Sequence, residues 1–128
     1  MINQPSEQLT NFLNFITTAQ SHYKFCLEEM KQQEQLTQDY LHSLELDDLK
    51  CRERSKLATK LAINRKDRRY FKDRVEELEP IVVFFEDPIN KKVLNNLKQV
   101  LGKLRKTEGY HKDRTYTPKI LKESDKDA

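Results

Sequence analysis

Apolar positions in the first third of the chain recur by alternating steps of four and three. Phe12, Ile16, Ala19, Tyr23, Cys26, Met30, Gln33, Thr37, Tyr40 and Leu44 fall on one line of a helix. Leu9, Leu13, Leu27 and Leu41 widen that line. No Pro or Gly interrupts Ser6 to Leu46, so the spacing predicts one long helix over about 6–45. Ser6 reads as its N-cap, and Glu7 suits the positive end of the helix dipole. A second line runs through Leu57, Leu61, Asn64, Arg68, Phe71, Val75 and Leu78. It predicts a helix over about 48–79, entered by a turn at Glu45–Asp48 and capped by Asp47 or Asp48. Both lines carry polar residues where apolar ones are expected: Gln33 and Thr37 in the first, Asn64 and Arg68 in the second. Asn64 and Arg68 either fix the register of the pairing or mark where the helix leaves its partner.

Pro80 is expected to stop or kink the second helix. The run Ile81 to Phe85 is apolar throughout and has the composition of a buried strand, but a lone strand has no partner here, so a helical turn from Pro80 is preferred. Asp87-Pro88 is a helix start, with Asp as N-cap and Pro in the first position. Ile89, Val93, Leu94, Leu97, Val100, Leu101 and Leu104 give the third helix, about 88–107, one broad apolar face. Gly109 reads as its C-cap. Gly102 sits mid-helix at a cost of about 1 kcal/mol, which close packing would justify.

The expected fold is therefore all-α. A long, coiled-coil-like antiparallel hairpin and a third helix make a helical domain over 1–109. An irregular tail over 110–128 is basic and aromatic first, then acidic and partly disordered. Surplus apolar residues on Ser6 to Leu44 and on Pro88 to Leu104 point to a homodimer, with a three-helix monomer as the alternative.

Composition supports long helices over a compact globule. Hydrophobic residues make up only 36% of the 128 residues, charged residues make up 35%, and there are two glycines and four prolines. A narrow seam can serve as the core of such a chain. The net charge of +3 is mild, but its distribution is not. Leu27 to Asp48 holds seven acids and one base; Lys50 to Arg74 holds eleven bases and three acids; Glu76 to Asp87 holds five acids and no base. In an antiparallel pair the acidic end of the first helix lies beside Lys50 to Lys60, which favours that orientation.

Cys26 and Cys51 are too few for a disulfide framework and suit a reducing compartment. The polar start MINQPSEQ has no signal-peptide pattern, and no apolar run approaches a membrane span. These readings lead us to expect a cytoplasmic protein with no membrane contact.

The candidate interaction site is the basic cluster Lys60, Arg65, Lys66, Arg68, Arg69, Tyr70, Lys72 and Arg74. Helical spacing puts Arg65, Arg69 and Lys72 on one face with Lys66 and Tyr70 on its edge, a stripe that can follow phosphates while Tyr70 stacks. The plain alternative is a solvated helix face partly neutralised by Glu28, Glu29, Glu76 and Glu77. A second basic and aromatic group, Tyr110, His111, Lys112, Arg114, Tyr116 and Lys119, is either an arm that orders on a partner or a tail packed along the third helix. His22 and Cys26, and His42 and Cys51, form two pairs at opposite ends of the hairpin, too far apart to share a metal ion. No nucleophile elbow or phosphate-binding loop occurs. No catalytic residue, metal or cofactor is expected, and the chain reads as a non-enzyme.

The stretches LATKL, RKDRRYFKDRVEELEPI, LKQVLGKLRK and YHKDRTYTPKIL, within Leu44 to Leu121, resemble small accessory proteins of phages and prophages of Gram-positive bacteria. That resemblance implies a small protein made in a bacterial host's cytoplasm, binding host or defence machinery or assisting phage replication. The leading expectation is an interaction protein that binds a host or phage protein, or a nucleoprotein, through its charged helical face. A nucleic-acid-binding accessory protein is the first alternative, and a structural coiled coil or scaffold component is the second.

Overall fold

The computed structural model describes residues 4–116 and 118–120. The chain is all-α: α1 (Pro5–Leu46), α2 (Cys51–Glu86) and α3 (Pro88–Asp113), with no strand among the described residues. The four prolines punctuate it. Pro5 and Pro88 sit at the first position of α1 and α3, where a missing N–H costs nothing; Pro118 lies beyond α3; only Pro80 is inside a helix.

α1 is 42 residues long, about 60 Å, and the other two helices lie along it. Thr37 bonds Asn64, Glu34 bonds Arg68, and Phe25 meets the Phe71 ring edge-on. Position falls along α1 as it rises along α2, so the two run antiparallel. Glu86, the last residue of α2, shares a hollow with Gln20, Tyr23 and Lys24, so α2 ends beside that part of α1. α3 then continues toward the start of α1: Arg105 Nη2 donates to Thr10 Oγ1 at 3.3 Å, and the Ser6 N–H donates to Glu108 Oε1 at 3.2 Å.

The core is the expected narrow seam. Leu13, Ile16, Ala19 and Cys26 of α1, Val75 and Val82 of α2, and Leu101 of α3 are its buried apolar members. Tyr23, Met30, Leu57, Leu61, Phe71 and Leu78 flank it half-buried. Phe12 does not belong to it: Leu13, a neighbour on the wider stripe, takes the inward place and Phe12 stays 44% exposed.

Several helix ends differ from the sequence expectation. Gln4, not Ser6, is the N-cap of α1; Ser6 is buried one residue inside, and Glu108 takes up its free N–H. Asp47 closes α1 and does not open α2: its N–H bonds the Ser43 carbonyl and its carboxylate accepts from Ser43 Oγ at 2.7 Å. α2 starts at Cys51, and Glu53 reaches back to the Lys50 N–H at 3.3 Å.

Pro80 does not stop α2, and Ile81 to Phe85 is α-helix. Pro80 and Glu76 are both exposed, so the carbonyl that Pro80 leaves unbonded is open to water. The helix ends at Asp87, whose carboxylate accepts the Ile89 N–H at 2.9 Å, while Asn90 Nδ2 donates to the Phe84 carbonyl at 2.8 Å. Asp87-Pro88 therefore opens α3 as expected.

Gly109 is not a C-cap. α3 runs through it to Asp113, and neither glycine takes a positive φ. Nor does Gly102 serve close packing, since a Cβ there meets nothing within 4 Å.

Candidate interaction face on α2

The polar positions of the two seams meet. Asn64, only 3% exposed, sits between Gln33 and Thr37 of α1. Its Nδ2 donates to the Gln33 carbonyl at 2.9 Å and to Gln33 Oε1 at 2.7 Å, and its Oδ1 accepts from Thr37 Oγ1 at 2.6 Å. Both amide hydrogens face oxygens and the amide oxygen faces a hydroxyl, which fixes the side chain's orientation. Thr37 Oγ1 also lies 2.9 Å from the Gln33 carbonyl and 3.4 Å from Arg65 Nη1. Of the two readings of Asn64 and Arg68, the structure supports register: the helices stay together through this layer.

The same layer draws bases out of the cluster. Arg68 donates to Glu34, and Arg65 Nη1 lies 3.7 Å from the same carboxylate. One turn beyond Tyr70, Arg74 pairs with Glu77 at 2.9 Å and lies 5.6 Å above the Tyr70 ring. These are the ion pairs among the described residues. None joins Lys50–Lys60 to α1, so the charge blocks meet at Glu34 and not at the tip of the hairpin. Lys60 lines a shallow hollow with Gln33, Leu36, Tyr40, Ile63, Asn64 and Asp67.

Lys66, Arg69, Tyr70 and Lys72 remain. At about 100° per residue, Lys66 and Arg69 lie on the side of α2 opposite Asn64, Phe71 and Val75. Both are exposed, as is Tyr70, while Lys72 is half-buried on the flank. Asp73, Glu76 and Glu77 are the acids on this side. The candidate site thus contracts from eight residues to the outer half of α2, where three bases and one aromatic ring stand among these acids. Arg65, Arg68 and Arg74 belong first to the intramolecular pairs. The sequence hint for this was a single acid, Glu34, beside the polar seam positions.

The second candidate group is divided. Tyr110, His111 and Lys112 form the last turn of α3, so these residues are helix and not irregular tail. Arg114 is the C-cap, and Tyr116 and Lys119 are exposed beyond it. Tyr110 and Tyr116 are 67% and 79% exposed, which rules out a tail packed along α3 through these rings. The expected disorder of the acidic end falls on 121–128, outside the described residues.

Both cysteines are free, Cys26 buried and Cys51 exposed. Cys26 Sγ lies 3.6 Å from His22 Nε2. Burial pushes the Cys26 thiol pKa up, with Glu29 adding to the rise and Arg74 opposing it. Among the described residues no group of three or more His, Cys, Asp or Glu is placed to hold a metal ion, and no helix is long and apolar enough to cross a membrane.

Comparison of the chain with protein-family models, curated proteins and solved structures finds no match.

Proposed function

We propose that this is a non-enzymatic, phage-type interaction protein that binds a host or defence protein, or a nucleoprotein, through the outer face of α2. The observation that carries this reading is exposed Lys66 and Arg69, with Lys72 on one flank of them and exposed Tyr70 on the other, all outside the ion pairs of the hairpin. A long rigid helix backed by α1 holds these side chains at fixed spacing, so an acidic partner surface meets a preorganised row of cations. The phage setting rests on the resemblance of Leu44 to Leu121 alone.

The test is affinity capture from bacterial cells, with and without nuclease, using the wild type and the triple reversal K66E/R69E/K72E. A partner retained after nuclease and lost with the reversal supports the reading. A partner unaffected by the reversal refutes it.

The exposed ring of Tyr70 favours a second reading, in which the same face holds nucleic acid by stacking and phosphate contact. That reading requires a gel shift at low salt with a steep salt dependence, abolished by the same reversal. No shift at low salt eliminates it.

A further inference from the structure

We infer that a second copy of this chain covers the first turns of α1, two α1 helices meeting antiparallel about a two-fold axis near Phe12 and Phe15. The inference stands apart from the α2 face. Its origin is that α2 ends beside Gln20 and Tyr23, so below that level α1 keeps only α3 as a neighbour.

Helical phase locates the uncovered surface. The Arg105–Thr10 bond lies on one flank of the α1/α3 pair. At about 100° per residue, Phe12 and Phe15 fall on the other flank of α1, and Ile89, Val93 and Val100 fall on the same other flank of α3. These five are 44%, 52%, 75%, 47% and 43% exposed. By the Arg105–Thr10 register Ile89 lies about 20 Å along the axis from Phe12, so the patch consists of the other four. Taking roughly 175 Å² for a fully exposed side chain of this size, they present roughly 325 Å² of apolar surface. The smaller stable interfaces take about 600 Å² per partner, a little over half of it apolar, so the patch is of the size a small stable dimer needs.

Charge selects the occupant. Between Gln4 and Tyr23 the one charged residue is Glu7, in a chain that is 35% charged. Gln8 and Asn11 border Phe12 and Phe15, so on the α1 side of the patch a charged partner finds nothing to pair with. A second α1 meets the patch without repulsion and buries its own Phe12 and Phe15 in return. An α3-to-α3 contact would instead bring Lys92 and Lys103 of both copies together. The two-fold axis therefore sits on α1, with Val93 and Val100 at its side.

The experiment is sedimentation equilibrium on the full chain, wild type and F12E/F15E, with circular dichroism to check folding. The wild type is expected to dimerise and the variant to dissociate at least ten-fold more readily at unchanged helicity. A wild type that stays monomeric through 100 µM, or a folded variant that still dimerises like wild type, overturns the proposal. If F12E/F15E loses helicity, V93K/V100K replaces it with the same expectation. Geometry gives an independent readout through Cys51, the exposed thiol. It lies beyond the far end of α1, about 50 Å from Phe12, so the two Cys51 residues of this dimer are about 100 Å apart. Spin labels there are expected to show no short distance, and a Cys51–Cys51 separation under 40 Å places the interface elsewhere and overturns the proposal.

Discussion

Thr37 and Asn64, 27 positions apart in the chain, share a 2.6 Å hydrogen bond in the interior of an otherwise apolar seam. Asn64 has no other inward choice: its amide is enclosed by Gln33 and Thr37, and sliding α2 by one turn would place Leu61 or Arg68 against those polar groups. Asn64→Ala is expected to destabilise the fold by about 1–3 kcal/mol, because it strands the Gln33 side-chain carbonyl and leaves the Thr37 hydroxyl only its local bond to the Gln33 carbonyl. Thr37→Val combined with Asn64→Leu is expected to recover most of that loss, since both partners then become apolar. Urea unfolding of wild type, Asn64→Ala and the double variant measures it. A double variant less stable than Asn64→Ala would refute the account.

Much of the helical frame could be read from spacing because each seam repeats without Gly or Pro. The two polar gaps were visible as well, at Gln33–Thr37 and at Asn64–Arg68, but one helix's gap does not name its partner. Only the antiparallel register joins them, and with them Glu34, which the sequence sets apart from Glu28 and Glu29 only by its place between Gln33 and Thr37. The helix ends were less legible for a local reason. Ser6, Asp47 and Gly109 are good capping residue types, yet Pro5, the Ser43–Asp47 bonds and the continuation of α3 through Gly109 moved each cap by two to five residues. Pro80 misled for the converse reason. A proline inside a helix is tolerated when the carbonyl it frees faces water.

Gly102 and Gly109 carry no positive φ and have open space where a Cβ would stand. Gly102→Ala and Gly109→Ala are each expected to stabilise α3 by about 0.5–1 kcal/mol, through helix propensity and a less flexible unfolded chain. Paired thermal melts check this. A loss of stability at Gly102 would show that its bare face meets something outside the single chain.

Pro80→Ala restores the N–H that α2 lacks at that turn. We expect about 1–2 kcal/mol of added stability, the gain from the hydrogen bond being partly offset by greater freedom of the unfolded chain. The check is urea unfolding together with amide exchange at Ile81 to Phe85, which should slow.

Cys26 gives a pH dependence with a definite sign. Its thiol is buried, and burial holds the folded-state pKa above the ordinary value of 9.0. The folded chain therefore keeps the proton more tightly than the unfolded chain. The contribution to stability is full below 9.0 and is lost as pH rises from there through the raised folded value. Subtracting the urea profile of Cys26→Ala from that of wild type should leave a component that falls only on the alkaline side. In the native state a thiol reagent should titrate one group per chain at once, the exposed Cys51, and reach the second only on unfolding.

Glu34 separates what the cluster contributes to stability from what it offers a partner. It holds both Arg65 and Arg68, yet its side chain is 46% exposed, against 23% for Arg68. Glu34→Gln is therefore expected to cost only about 1 kcal/mol, most of it from leaving partly buried Arg68 without its carboxylate. The same change removes a negative charge beside the outer face of α2 and releases the Arg65 guanidinium. If that face engages an acidic surface or phosphates, Glu34→Gln should bind its partner about two- to ten-fold more tightly at low salt, with the gain shrinking as salt rises. Stability and affinity should thus move in opposite directions in one variant, read by urea unfolding and by a binding titration at two ionic strengths. Lower affinity from a folded Glu34→Gln chain would mean that Glu34 itself contacts the partner, and the interaction face would then have to extend across the hairpin onto α1.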